Sequence, residues 1–519
     1  MKDQTLQTIK EAVNEISDAV SVTLGARGKN VFIVRNSSIP IVTKDGVTVA
    51  QYFTLEDTIK NNIASYIRSV AMNTNDAVGD GTTTSVVLAN ALVNETIEAL
   101  EKNPNTNVYM VNKGFQMGLV KTIDLLNEYK QTDIDDDILH SIANISTNND
   151  EKLSELILDA FRKVNYTGGV VVKMSKTGYS YVEHSNGFNL KSGLEHPLFS
   201  TSTSELKAEL RNVDILIYDG ELNSLNKFKV TMGEIKMFNK YYSGENTLLI
   251  IAEKFSPEVL STILRENKQN GAGIWLLKSE EFGKKKRQLL EDLAHITDAT
   301  IVSDEGEVTL KTIKETDLGF ADKVVIDENN TYIWADNPSK GYIEKLEKEK
   351  ETLTNQYEIE FYDRRINNLT SGIATIYVGG KSEEEAVERK FRAEDAINSV
   401  RVAIEEGVIP GGGVPLFLIS KAIKYEGDNS DINLGIEIFK KAIQSPFKKI
   451  LENGGLDYSK YNISDWHTVV DVLTGEVVNP YIKGILDPVG VTKKALTNAI
   501  SIAGTLLTTG KIIQASPTL

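Results

Sequence analysis

Eight residues, Val78 to Ser85, combine side chains that could hold a phosphate and a metal ion together. They read Val-Gly-Asp-Gly-Thr-Thr-Thr-Ser and stand between two stretches with helical patterning. The free amides at a helix N-terminus attract anions, and glycine lets a phosphate approach the backbone closely. Asp80 would repel a bare phosphate, but it would hold a Mg²⁺ ion that bridges phosphates. The alternative is a capped helical turn, because Asp and Thr are common N-cap residues.

Four further turns carry glycines or a carboxylate beside a predicted helix or strand. They are residues 23–28 (Thr-Leu-Gly-Ala-Arg-Gly), 43–47 (Thr-Lys-Asp-Gly-Val), 410–414 (Pro-Gly-Gly-Gly-Val) and 484–488 (Gly-Ile-Leu-Asp-Pro). Each one alone is typical of an ordinary turn between elements. Residues 25–30 lack the spacing of a P-loop, and no Ser or Thr follows Lys29.

Length and composition bound the kind of protein that could carry these turns. The chain has 519 residues, 57 Lys and Arg, 73 Asp and Glu, and no cysteine. Its size predicts about two to four domains. A net charge of −16 argues against nucleic acid as the main partner. Without cysteine, disulfides, thiolate metal sites and a cysteine nucleophile are excluded. We expect a cytoplasmic protein, because no segment has the pattern of a signal peptide or of a membrane-spanning helix.

Two dense charge runs each allow two interpretations. The acidic residues at 132–137 could be a metal cluster, but Asp also favours the first turn of a helix, and we expect that role. The basic run at 284–287 is the only dense one, and we expect it to be the solvated face of a helix rather than a nucleic-acid site.

Hydrophobic patterning predicts the elements that position these residues. Residues 1–126 are mostly helical, apart from a hairpin across 30–43, and the last hundred or so residues are again helical. Between them, short apolar runs such as 213–218 and 247–252 alternate with helical segments, which favours an α/β region. We therefore expect one domain built from both chain ends and an inserted middle.

The motifs taken together, in their order and spacing, resemble the group I chaperonins, the ring-forming and ATP-driven folding machines. The resemblance runs from the first residues to about residue 515. It is carried by Val-Thr-Leu-Gly-Ala-Arg-Gly-Lys-Asn-Val from Val22, Thr-Lys-Asp-Gly-Val-Thr-Val-Ala from Thr43, the octet and its flanks, Ala-Glu-Asp-Ala from Ala393, Glu-Glu-Gly-Val-Ile-Pro-Gly-Gly-Gly-Val from Glu405, and Gly-Ile-Leu-Asp-Pro from Gly484.

The resemblance implies a role for each matching position. Asp80 matches a magnesium ligand, and Asp45 and Asp395 match the carboxylates that orient the attacking water. Lys44 matches a position whose backbone helps hold the nucleotide and a potassium ion. The implied nucleotide-binding positions are Thr23, Leu24, Gly25, Ala26, Lys44, Asp80, Gly81, Thr82, Thr83, Thr84, Gly412 and Asp487. ATP, Mg²⁺ and K⁺ are the implied ligands.

The family architecture implies a chaperonin fold of three domains, α and α/β. Residues 1–126 and 406–519 would form a mostly helical equatorial ATPase domain with the ring contacts. Residues 127–185 and 374–405 would form a small intermediate hinge domain, and 186–373 an α/β apical domain. Gly187 and Gly372 match the upper hinge, where backbone torsions must change.

The apical face that grips unfolded chains is apolar in the family. The matching positions here are Leu194, Leu198, Phe199, Ile235, Phe238, Leu260, Leu264 and Arg265. Leu194 and Leu198 replace tyrosines of the usual pattern, and Arg265 replaces an aliphatic residue. Taken without the resemblance, these residues are more typical of an ordinary α/β core.

Several positions depart from the family pattern. Ala26 stands where proline is usual, and Asp471, Val472 and Leu473 replace the usual Asn-Ala-Ala beside the adenine, which puts base selectivity in question. A Gly/Met-rich tail and the usual first strand are not seen in this sequence. Such divergence suits a virus-encoded or otherwise specialised copy.

The sequence thus predicts an ATP-hydrolysing chaperonin that encloses and refolds non-native proteins. Implied partners are non-native polypeptides, copies of itself in a seven-membered ring, and a lid co-chaperonin, with no nucleic acid and no membrane. One alternative keeps the fold as a scaffold or holdase ring with weak ATPase. The other is a small-molecule kinase, for which the sequence offers no obvious acceptor pocket.

Overall fold

The computed structural model describes residues 4–34, 40–202, 206–224, 239–279, 283–335, 340–425 and 427–513. It separates into two compact units: residues 1–158 with 388–519, and residues 159–387. The first unit draws on both chain ends and the second is inserted. This division cuts the predicted intermediate domain into parts, so the three-domain boundaries stay a prediction.

The helices and strands follow in chain order. The helices are α1 Gln4–Ser21, α2 Gly46–Tyr52, α3 Thr58–Val78, α4 Thr82–Lys102, α5 Val108–Tyr129, α6 Asp136–Ser146, α7 Glu151–Lys163, α8 Asn239–Tyr242, α9 Pro257–Asn270, α10 Gly283–Thr297, α11 Lys340–Glu351, α12 Gln356–Ser371, α13 Glu383–Glu406, α14 Val414–Ala422, α15 Ser430–Ala442, α16 Ser445–Asn453, α17 Pro480–Lys483 and α18 Val489–Leu507. The strands are β1 Val31–Ile33, β2 Ile41–Thr43, β3 Gly169–Met174, β4 Tyr181–Ser185, β5 Phe188–Leu190, β6 Ala208–Leu222, β7 Thr247–Phe255, β8 Ile274–Lys278, β9 Ile301–Val302, β10 Gly319–Ile326, β11 Thr331–Trp334, β12 Ile373–Val378, β13 Val408–Pro410, β14 Val469–Asp471, β15 Glu476–Val478 and β16 Leu486–Pro488.

The first unit is a helical bundle around one large apolar core. Its first helix, α1, buries Ile9, Val13, Ile16 and Val20 along one face, as its helical periodicity predicts. This face packs against α3 and α4, while α18 packs across α3, α4 and α5. The two helices that flank the octet are therefore held rigidly from both sides.

Short strand pairs bring the remaining turns of the first unit together. The predicted hairpin is the antiparallel pair β1–β2, with Val31 opposite Thr43. Strands β13 and β16 also pair antiparallel, with Ile409 opposite Asp487. This second pairing places the glycine turn at 411–413 next to Asp487, although the two are distant in sequence.

The second unit is the predicted α/β region. Its larger sheet has seven strands in the order β5-β11-β10-β6-β7-β8, with β9 pairing to β6. Strands β6, β7 and β8 run parallel, as their nearly unbroken apolar runs predict. A smaller sheet has the order β3-β12-β4, in which β3 and β12 are parallel.

The acidic run has the structural role that we expected, whereas the basic run lies on a helix as expected but is only partly solvated. Asp135 is the N-cap of α6, and its carboxylate accepts a hydrogen bond from the Ile138 amide at 2.9 Å. The basic run lies in α10, where Lys286 pairs with Asp219 and Glu253 and the Arg287 side chain is exposed.

Candidate functional site

The octet forms a tight turn between α3 and α4. Gly79 and Gly81 have φ angles of 71° and 87°, a backbone region that favours glycine. Gly81 is the N-cap of α4, and no side chain caps this end of the helix. The capped-turn interpretation therefore does not hold for Asp80 or the threonines. The first amides of α4 are left available for an anion.

Four carboxylates of the first unit influence one another around this turn. Desolvation by the surrounding protein raises the pKa of Asp80, and the nearby Asp45 raises it further, while the Gly81 amide, 2.6 Å away, opposes both effects. Asp80 is nevertheless exposed to solvent, so many protein atoms surround its carboxylate without covering it. Desolvation raises the pKa of Asp395 well above its usual range, and Asp45 and Asp80 add to the effect.

Asp487 belongs to the same cluster. Desolvation, followed by the charge of Asp80, raises the pKa of Asp487 to about 7. A set of carboxylates that repel one another is stabilised by a bound cation.

These carboxylates suit a magnesium ion only when a nucleotide binds with it, because the phosphates then supply further ligands. Among the described residues, no group of three or more His, Asp or Glu side chains gathers as a self-sufficient metal site. Mg²⁺ is usually held by one or two carboxylates together with phosphates and water. Asp80 beside the uncapped start of α4 offers that arrangement.

Asp45 has a structural role that the sequence analysis missed. It is the N-cap of α2, accepting hydrogen bonds from the Val47 amide at 3.1 Å and from the Thr48 amide at 2.7 Å. The Thr48 hydroxyl donates a third, at 2.5 Å. These bonds fix the orientation of the carboxylate at the start of α2. Its role in orienting water stays a prediction.

The turn at 23–28 packs against the start of α4. The Thr23 hydroxyl donates to the Val20 carbonyl at 2.8 Å and lies 3.3 Å from the Thr83 hydroxyl. Gly25 has a φ of 82°. The Lys44 ammonium donates to the Ala26 carbonyl at 3.1 Å, and burial lowers its pKa. Leu24 is half-buried and Ala26 is exposed, so this turn borders the site from one side.

Helix α13 delivers Asp395 to the octet through a contact that sequence reasoning missed. A Cβ atom added to Gly79 would lie 2.2 Å from the Asn398 Cβ, so only glycine permits this approach. Asn398 follows Asp395 by three residues and shares its helix face. That spacing was the only available signal. The charges of Asp45 and Asp80 act on Asp395 in this arrangement, so the three carboxylates lie in one neighbourhood.

The glycine turn at 411–413 and the residues near 471 also belong to the first unit. Gly412 has a φ of 67°, and a Cβ there would meet no atom within 4 Å. Asp471 is buried and Leu473 is 54% exposed. The Arg27 guanidinium, which the sequence analysis did not single out, donates to the Gly454 carbonyl at 3.3 Å and the Leu473 carbonyl at 2.8 Å. It ties the turn at 23–28 to the altered motif.

The two predicted hinge glycines both lie at close backbone approaches in the second unit. Gly372 has φ 68° and ψ −154°, a conformation that is essentially restricted to glycine. A Cβ at Gly187 would lie 2.4 Å from the Ile373 side chain. Both positions demand glycine, and their hinge role stays a prediction.

The predicted client-binding residues differ in exposure. Leu198 is 66% exposed, whereas Phe199 is 2% exposed and belongs to the core, so the expectation of a surface role for Phe199 is corrected. Its backbone dictates the difference, because neighbouring residues of a short 3₁₀ turn point in different directions. Leu194, Leu260 and Leu264 are partly buried against the core, and Arg265 is exposed. Ile235 and Phe238 lie outside the described residues.

Comparison with known proteins gives one consistent result. The TCP-1/cpn60 chaperonin family matches residues 16–517. The fold is similar to that of the chaperonin gp146 from the bacteriophage EL 2 (Pseudomonas aeruginosa), crystallised in the presence of ATP-BeFx. One crystal form aligns with a TM-score of 0.76 and 23% identity over 98% of this chain and 97% of that one. A second form aligns with a TM-score of 0.66 and 24% identity over 99% and 98%. None of the described helices is long and apolar enough to cross a bilayer.

Proposed function

Because this chain belongs to the TCP-1/cpn60 chaperonin family, we propose that it hydrolyses ATP to bind, enclose and release non-native polypeptides within a homo-oligomeric ring. The observation that carries the proposal is the convergence of Asp45, Asp80 and Asp395 at the uncapped N-terminus of α4. A phosphate chain needs such amides, and its metal needs such carboxylates.

Each part of the site has a distinct task in this proposal. The amides and hydroxyls at Gly81, Thr82, Thr83 and Thr84 receive the phosphates, and Asp80 holds Mg²⁺. That ion, when bound, neutralises phosphate charge. Asp395 orients the attacking water and accepts its proton, with Asp45 as second carboxylate. Phosphoryl transfer depends mainly on such positioning and charge neutralisation.

The clustering of carboxylates also makes catalysis dependent on the bound cation. With no cation nearby, the raised pKa of Asp395 favours its protonated form, which cannot accept a proton from water. Positive charge near Asp80 would stabilise the carboxylate form. A bound cation would therefore make Asp395 a better base.

The gp146 structures were obtained in the presence of ATP-BeFx, which supports ATP as the ligand of this chain. A potassium ion near the Lys44 backbone, a lid co-chaperonin and a seven-membered ring belong to the same proposal. The exposed Leu198 and the half-buried Leu260 and Leu264 support a client surface on the second unit.

Steady-state ATPase measurement combined with refolding of a denatured enzyme tests the proposal. Asp80→Ala should weaken Mg²⁺-ATP binding and abolish nucleotide-dependent refolding. Asp124→Ala, which removes an exposed carboxylate of α5, is the matched control and should behave like the parent. Protein binding without nucleotide-dependent release would favour the scaffold alternative. Phosphorylation of a small-molecule acceptor would favour the kinase.

A further inference from the structure

Three lysines of the second unit converge on a single carboxylate. Lys323 of β10 lies 3.1 Å from Glu209 of β6, and Lys207, just before β6, lies 3.9 Å from the same side chain. Lys173 of β3 approaches from the smaller sheet, and its ammonium is close enough to that of Lys323 for a direct unfavourable interaction. Strands from both sheets of the unit thus meet here.

The charges of this cluster do not balance. Three ammoniums and one carboxylate leave a net charge of +2 when all of them are ionised. Glu209 is shared by Lys207 and Lys323, and Lys173 forms no ion pair with any residue that the structure describes. Burial, followed by the neighbouring Lys323, lowers the pKa of Lys173 to about 8. Burial alone would raise the pKa of Glu209, but the hydrogen bond from Lys323 lowers it.

Trp334 holds two of the ammoniums in place. The Lys173 and Lys323 nitrogens lie 5.7 and 5.3 Å from its ring centroid, within the range of cation–π attraction. The ring is itself fixed, because its Nε1 donates to the Ser185 hydroxyl at 2.9 Å. The Lys207 and Lys323 side chains are only 15% and 13% exposed, so their positions are restricted before any ligand arrives.

We propose that Lys173, Lys207 and Lys323, beside Glu209 and Trp334, form a binding site for a phosphate dianion. A charge of −2 matches the excess of the cluster, and lysine ammoniums bind phosphate as point charges. The partly desolvated setting strengthens the attraction relative to a surface patch. The dianion can come from free phosphate or from a phosphorylated side chain.

Isothermal titration calorimetry with inorganic phosphate and with O-phosphoserine tests the site and separates the two sources. We expect Lys173→Met and Lys323→Met each to weaken binding about tenfold, the loss typical of one charged contact. Lys176→Met removes an exposed lysine close to Lys173 in sequence and should leave the affinity unchanged. Binding of neither anion, or equal affinity in the parent and both site variants, would overturn the proposal.

A charge reversal keeps the test informative even if a methionine variant folds poorly. Lys173→Glu should pair with Lys323, which removes the repulsion and the excess charge together. This variant should melt at a higher temperature than the parent, and phosphate should stabilise the parent but not the variant. Equal stabilisation of both proteins by phosphate would place the anion elsewhere and refute the assignment.

Discussion

At the scale of single residues, Asp487 shows how the candidate site opposes folding in the absence of a ligand. Its pKa is raised to about 7, against about 3.9 for an unperturbed Asp, by desolvation and by the charge of Asp80. Between about pH 4 and pH 7, the folded state therefore keeps a proton on Asp487 that the unfolded chain has already lost. Stability from this group is full below about pH 4 and declines as the pH rises to 7.

Asp487→Asn should remove this pH-dependent cost. In the absence of nucleotide and Mg²⁺ we expect the variant to be about 1–3 kcal/mol more stable than the parent at pH 8, and nearly equal at pH 4. Urea unfolding at the two pH values measures the difference. A stability difference that is the same at both would show that Asp487 does not titrate in this range.

Asp395 tests the catalytic assignment at the same scale. Asp395→Ala should slow hydrolysis about 10²–10⁴-fold, because a positioned base is lost. ATP binding should stay nearly intact, since the amides of α4 and Asp80 remain. Stopped-flow binding and steady-state turnover separate the two effects. Parental turnover in this variant would remove Asp395 from the mechanism.

At the scale of elements, the octet turn and α13 act as one assembly because Gly79 contacts Asn398. Gly79→Ala should displace the turn from α13, since the new Cβ would lie 2.2 Å from the Asn398 Cβ. The positive φ should cost about 1–2 kcal/mol and overpacking about 1–3 kcal/mol more. ATPase activity should fall as well, because the turn carries Asp80.

Gly455→Ala provides the matched control for that prediction. Gly455 has a φ of 72°, close to that of Gly79, but a Cβ there would meet nothing within 4 Å. This variant should show the backbone cost alone and retain ATPase activity. If both variants lose the same stability in urea unfolding, the contact between Gly79 and Asn398 contributes nothing.

Elements with strong local signals could be predicted from sequence, and contacts between distant elements could not. The apolar face of α1 and the Asp135 cap follow from periodicity and capping chemistry alone. The lysine cluster around Glu209 depends on the pairing of β6 with β10 and on where β3 lies, so no local pattern reveals it. Phe199 and Leu198 differ in burial because the short 3₁₀ turn that they share points their side chains in different directions, and the apolar pattern of the sequence does not reveal that turn.

At the scale of the whole molecule, a net charge of −16 creates a field that repels acidic polypeptides. Arg265 is a local exception on the second unit. Its side chain is 59% exposed, and it lies 3.7 Å from Glu266, a solvent-screened pair that contributes little. On α9 it is next to the half-buried Leu264, which packs against a core that includes Val259 and Ile263.

If α9 contacts clients, Leu264 and Arg265 should contribute differently. Leu264→Ser should reduce the capture of all denatured clients, because it removes apolar contact area. Arg265→Val should selectively reduce the capture of acidic clients, since the guanidinium offsets the surrounding negative field only locally. This selective loss should be largest at low salt and should shrink as the Debye length falls from about 30 Å at 0.01 M to about 8 Å at 0.15 M.

Capture assays with one acidic and one basic denatured protein across that salt range measure the ratio of acidic to basic client captured. An acidic-to-basic ratio that Arg265→Val leaves unchanged at every salt concentration would make Arg265 an incidental surface charge.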